Sequence, residues 1–152
     1  MLTRLYWMAV AYTTLGLLAG LGYRELTKAH DFTGKTQLSV LHTHLLALGL
    51  LMALILLALE HTLRLSRDNR FWTAVVVYNV GVLLSSIMMT IIGTQQVLHA
   101  GWQTPASIAG IAGLGHITLT LGLVLLLMSL KKAVNRAEAD RAETGELTAQ
   151  GT

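Results

Sequence analysis

The chain of 152 residues is 53% hydrophobic and only 12% charged, with no cysteine, six histidines and a formal net charge of +3. Soluble domains carry about 25% charged residues, so the composition argues against a water-soluble globule, and the length leaves room for one domain without an appended enzyme. The absent thiols exclude disulfides, thiolate catalysis, Cys-ligated zinc, iron–sulfur clusters and covalently attached c-type haem.

Four apolar stretches contain no Lys, Arg, Asp or Glu: about residues 5–22, 38–59, 72–93 and 108–130. Each is long enough to cross about 30 Å of hydrocarbon as a helix rising about 1.5 Å per residue. The first follows Arg4, as a signal peptide would, but its apolar run is long and ends in Leu21-Gly22-Tyr23 without a small-x-small cleavage site, so it reads as a retained span. With a cytoplasmic amino terminus, Arg4, Arg64, Arg67, Arg70, Lys131, Lys132, Arg136 and Arg141 lie inside, against Arg24, Lys28 and Lys35 outside. The positive-inside rule therefore predicts an all-α integral membrane protein, a four-helix up-down-up-down bundle with both termini cytoplasmic and the 24–37 and 94–107 loops facing outward. The basic surplus serves anchoring and topology, which makes the lipid bilayer the expected partner and nucleic acid an unexpected one.

Pro105 is placed to open the fourth helix. Residues 1–132 form the single transmembrane domain. The tail 133–152 carries Glu138, Asp140, Glu143 and Glu146 among Ala, Thr and Gly, with no apolar stripe, and reads as a frayed helix passing into disorder.

Polar groups inside apolar spans are costly and call for partners. His44 lies 16 residues before Glu60, Met89 lies 17 after Trp72, and His116 lies 15 before Lys131, which places all three roughly 22–26 Å up the slab, just below the outer surface. Tyr23 and Arg24 leave the first helix at that same face. Four-helix bundles build cofactor sites from facing side chains, and imidazole and thioether both ligate haem iron, so His44, His116 and Met89 form a coherent set. Arg24, with Lys28 or Lys35, is placed to pair with haem propionates. His42 and His44, two residues apart, point to nearly opposite sides of a helix and cannot chelate one ion in regular geometry, and either of their stripes could face the bundle. Asn79 is expected to hydrogen-bond across helices, and Met88 to fill space. Glu60 and His61 read as solvated interfacial groups, and His30 and His99 as surface residues. The Ala9, Thr13, Gly16 and Gly20 stripe offers a face for a homodimer.

The run Tyr23-Arg24-Glu25, then Gln37 to His44, Tyr78-Asn79, Met88-Met89, Gly93, Gln96 and Gly110 to His116 resembles a family of small bacterial four-helix membrane proteins described only as a domain of unknown function. That resemblance implies the fold and a multi-pass place in the bacterial inner membrane, and no reaction. The segment His42-Thr43-His44-Leu45-Leu46-Ala47-Leu48-Gly49 is also similar to the His-x-His helix of haem–copper oxidase catalytic subunits, whose two histidines ligate different haems. It departs from that family in having four helices instead of twelve and no histidine triad for copper. The likeness implies that His42 and His44 each face a haem, with His116 as an opposing ligand, and it implies no oxygen reduction.

The leading expectation is a membrane protein that binds b-type haem near the outer leaflet for electron transfer or diatomic gas binding, beside a respiratory or redox partner. One alternative is a haem-free interaction or assembly protein. The other is an outer-face copper handler using His42, His44, Met88 and Met89. Whether the chain is an enzyme stays open.

Overall fold

The computed structural model describes residues 1–99 and 101–150, with side chains as far as Thr144. Four helices account for nearly all of it: α1 (Leu2–Ala29), α2 (Leu38–Leu63), α3 (Phe71–Leu98) and α4 (Ala106–Gln150), with a single 3-10 turn, Leu65–Arg67, before α3. All four are long and apolar enough to cross a membrane. Each outruns its apolar stretch, because a helix continues beyond the hydrocarbon until something stops it. Asp31 and Arg64 both take the left-handed conformation, at φ 45° and 49°, just past α1 and at the end of α2. Pro105 stands immediately before α4, and its carbonyl accepts from the Ala109 N–H at 3.0 Å. Beyond residue 132 the chain stays helical to Gln150, where Ala133, Ala137, Ala139 and Ala142 favour the helix. Part of the expected tail, Gly151 and Thr152, lies outside the described residues.

α2 and α3 occupy the middle of the bundle. α1 packs mainly on α2, α4 packs on α3, and α2 meets α4 only lightly. The α3–α4 seam is tight because glycines remove side chains where the backbones meet. A Cβ on Gly81 would lie 2.7 Å from Leu119 Cβ, and one on Gly122 would lie 2.8 Å from Tyr78 Cβ. The small stripe of α1 serves the α1–α2 seam within the chain: Gly16 lies against Leu46 and Gly20 against His42.

Hydrogen bonds fix the helices at three levels. Midway, the Tyr12 hydroxyl donates to Asn79 Oδ1 at 2.6 Å, joining α1 to α3 as expected of Asn79, whose amide nitrogen donates to the Val75 carbonyl at 2.7 Å. At one end, the Arg4 guanidinium sits 5.2 Å from the centre of the Trp72 ring. At that end, too, Asp68 accepts from Ser129 Oγ at 2.9 Å and pairs with Lys132 at 3.5 Å. Burial opposes charge on Asp68, but the Ser129 hydroxyl, the Arg70 backbone N–H and the Lys132 ammonium together hold its carboxyl below the ordinary range. Glu60, expected to be solvated, is buried and accepts from Ser66 N at 2.8 Å and Ser66 Oγ at 2.5 Å. The α2–α3 turn folds back over the end of α2, and the carboxylate takes up its free donors.

The chain start, the α2–α3 turn and the Lys131–Lys132 region of α4 thus share one basic end, the arrangement of an up-down-up-down bundle. At the opposite end, the buried Thr36 hydroxyl donates to the Gly93 carbonyl at 2.8 Å and accepts from Leu38 N at 3.3 Å, while Gln96 Oε1 accepts from Gln37 N at 2.9 Å. The 30–37 connection is thereby pinned to α3.

Outside the seams the surface is apolar. Trp7, Leu17 and Ile117 are each more than 60% exposed, as lipid-facing residues of a bundle would be. Hydroxyls on the spans bond their own helix four residues back, as Thr13 does to Ala9, Ser86 to Val82 and Thr120 to His116.

Candidate functional site

Within α2 the stretch Leu45–Leu51 is π-helical, directly after His44. The buried residues Leu41, Leu45, Gly49 and Ala53 recur every fourth position. In a regular helix of 3.6 residues per turn such a row drifts round the axis, and the wider turn keeps it facing inward. The Tyr78 hydroxyl of α3 donates to the Leu48 carbonyl inside this stretch at 3.0 Å, and Gly49 gives the Tyr12 ring its place. Turns of this kind are frequent at functional sites. The fourfold spacing is visible in the sequence but does not stand out in a span that is apolar on every side.

His42 and His44 leave α2 in different directions, as their spacing requires. His42 faces α1 against Gly20. Its Nε2 lies 3.2 Å from Thr43 Oγ1, and its Nδ1 is buried with no hydrogen-bond partner. His44 points toward α4, where its ring centre lies 6.5 Å from that of the exposed His116 with the planes at 61°, an edge-on arrangement. His44 Nε2 is also buried and without a partner. His116 Nδ1 lies 3.0 Å from the Ala112 carbonyl. A ring nitrogen facing a carbonyl carries the proton, so Nε2 of His116 keeps its lone pair free. That backbone bond orients the imidazole as outer-shell partners orient metal ligands.

Met89 of α3 and His44 line one cleft of about 310 Å³ with Val40, Thr43, Ala47 and Leu48. Of the three residues expected at one level, His44 shares this cleft with Met89 and a ring contact with His116, which does not line the cleft. The others are not part of that group. Met88 is buried elsewhere in the bundle. Tyr23 lines a separate groove between α1, α2 and α3, with Leu41, Thr90 and Thr94. Arg24 is exposed at the end of α1, 3.8 Å from Glu25, in a crevice with Lys28 and Asp31. Arg24 and Tyr23 thus lie on the α1 flank with His42, and His116 lies on α4 at the far flank. His30 and His99 are exposed.

Among the described residues no three of His, Cys, Asp and Glu gather in a metal-holding group, whereas a structural zinc site takes four protein ligands. The donor chemistry, with His44 Nε2 unpartnered and His116 Nε2 free, suits a group held by two imidazole nitrogens. On α4, Gly110 and Gly113 lie with His116 on the exposed surface of the bundle and would meet nothing within 4 Å if they carried a Cβ, whereas Gly115 packs against Ser85.

Fold and site together define an all-α bundle of four membrane-length helices in which a cleft between the second and third helices holds His44 and Met89, and His116 of the fourth helix lies beside His44. A family model described as a protein of unknown function, DUF2871, matches residues 2–133, and the chain belongs to that family. Neither the curated proteins nor the solved structures give a match.

Proposed function

We propose that the protein is a multi-pass protein of the bacterial inner membrane that binds b-type haem between α2 and α4, with the histidine end outward, and acts in electron transfer. The observation that supports this reading is the His44–His116 pair, two imidazoles with ring centres 6.5 Å apart, His44 Nε2 unpartnered and His116 Nε2 left free. His44 and His116 would hold the iron, which would supply one-electron chemistry there. Two histidines holding the group would favour electron transfer, whereas one alone would favour binding of a diatomic gas. Non-covalent haem agrees with the absence of cysteine.

The test is the absorption spectrum of the detergent-purified chain, expressed with haem supplied, before and after dithionite. The expected result is sharp reduced bands in the wild type that are lost or altered in His44→Ala and His116→Ala. A colourless wild type refutes the reading and favours a haem-free packing or assembly role, in which the same substitutions lower stability only. A second reading, copper handling, is favoured by one observation: the Met89 thioether shares the His44 cleft. Its ligands would be His44, His116 and Met89 instead of a set including His42 and Met88. Metal analysis of protein purified without an affinity tag distinguishes it.

A further inference from the structure

At the basic end, the last turn of α2, the turn that follows it and α4 enclose a polar cavity of about 290 Å³ lined by Thr62, Arg64, Arg67, Arg136 and Asp140. Three guanidinium groups meet one carboxylate there. Among the described residues the ion pairs are Arg24–Glu25 and Lys132–Asp68, so none of the three arginines is paired. Arg136 is the most constrained: its Nε donates to the Lys132 carbonyl at 3.3 Å, and its Nη2 is buried with no hydrogen-bond partner. A buried guanidinium nitrogen without an acceptor is costly and calls for one. Arg64 is held in the left-handed conformation at φ 49°, ψ 58°, where glycine is the ordinary occupant of a helix end and another residue is strained. The chain keeps an arginine where glycine would stabilise the turn.

The cavity opens where α2 ends and where α4 passes Lys131 and Lys132, the level at which a membrane-spanning bundle meets lipid headgroups. Forked guanidinium donors match phosphate oxygens, and basic pockets between helices at this level suit anionic headgroups. We propose that Arg64, Arg67 and Arg136 form a binding site for a phosphate group, carried by an anionic phospholipid headgroup. The site lies at the opposite end of the bundle from the histidine cleft and does not depend on what that cleft binds.

The test follows the thermal midpoint of the full-length chain in detergent while short-chain phosphatidylglycerol, short-chain phosphatidylcholine and inorganic phosphate are titrated in separately. Phosphatidylglycerol should raise the midpoint saturably and phosphatidylcholine should not. Arg136→Gln and Arg64→Gly should each weaken that binding about tenfold or more, since each removes a hydrogen bond to a charged group. Arg64→Gly should at the same time raise the ligand-free midpoint by relieving the left-handed strain, a combination that a merely structural arginine would not produce. Arg70→Gln, at the same end but outside the cavity, should leave binding unchanged. Saturation by inorganic phosphate alone, with the same arginine dependence, supports the phosphate site and assigns it a soluble source. The proposal is overturned if no titrant saturates, or if Arg70→Gln weakens binding as much as Arg136→Gln.

Discussion

Gly49→Ala tests how closely the widened turn after His44 depends on one absent side chain. The added Cβ would lie 2.7 Å from Tyr12 Cε1 and closer still to Cγ and Cδ1, whereas unbonded carbons rest at about 3.5–4.0 Å. These are the near atoms of a rigid ring, so the ring or the helix must move by about an ångström. Such a shift stretches the 2.6 Å bond from the Tyr12 hydroxyl to Asn79. Overpacking of this kind costs about 1–3 kcal/mol, and an interhelical hydrogen bond in a membrane protein about 0.6 kcal/mol. The higher helix propensity of alanine offsets up to about 1 kcal/mol. The net expectation is a loss of roughly 1–3 kcal/mol, measured as equilibrium unfolding in mixed dodecylmaltoside and dodecyl sulfate micelles by far-ultraviolet circular dichroism. Gly22→Ala is the control, because a Cβ there meets nothing within 4 Å, and it should be neutral or slightly stabilising. Adding Tyr12→Ala to Gly49→Ala should cost less than the sum of the two single changes, since both act on one contact. A Gly49→Ala chain as stable as the wild type to within about 0.5 kcal/mol would refute the reasoning, as would strict additivity with Tyr12→Ala.

Other expectations concern the histidine pair and the basic end. His44→Ala and His116→Ala should leave the far-ultraviolet helix signal of the apoprotein intact while abolishing or shifting any haem spectrum, with His42→Ala, which faces α1, sparing it. Glu60→Gln should destabilise the bundle by about 1.5–3 kcal/mol, since a charged acceptor for two Ser66 donors becomes a neutral amide with one oxygen; an unchanged unfolding curve would show that Glu60 is solvated after all. The Asp68 carboxyl is held below its ordinary value, so its stabilisation is present above about pH 3.9, the unfolded value, and is lost as pH falls through the lower folded value. The stability difference between wild type and Asp68→Asn should therefore be constant near neutrality and shrink below about pH 4, and a difference that grew on acidification would contradict the Ser129 and Lys132 contacts.

The apolar runs made the number and order of helices legible, because charges are excluded from hydrocarbon and each excluded stretch matches its thickness. The ends were less legible: α1 runs on through Tyr23–Ala29 and α4 through its alanine-rich extension, since helix propensity, and not lipid, carries the chain on there. The common level of His44, Met89 and His116 followed from rise per residue alone. Which of His42 and His44 faces α4 did not, because it depends on how α2 is rotated, and that rotation is set by Gly49 against Tyr12 and by the Tyr78 bond to Leu48. Arg24 was grouped with the histidines by depth, but depth carries no information about flank, and the structure puts it on the α1 side. The burial of Glu60 was missed because its partner, Ser66, approaches only after the chain has turned back on itself.

The central claim, that His44 and His116 clamp one iron, is tested most directly by titrating haem b into the detergent-solubilised apoprotein and following the ferric spectrum. The account predicts saturation at one haem per chain with a six-coordinate, low-spin spectrum that becomes high-spin in His116→Ala. A wild-type spectrum indistinguishable from that of haem in empty micelles, or a low-spin spectrum that survives in the His44→Ala, His116→Ala double variant, would contradict it.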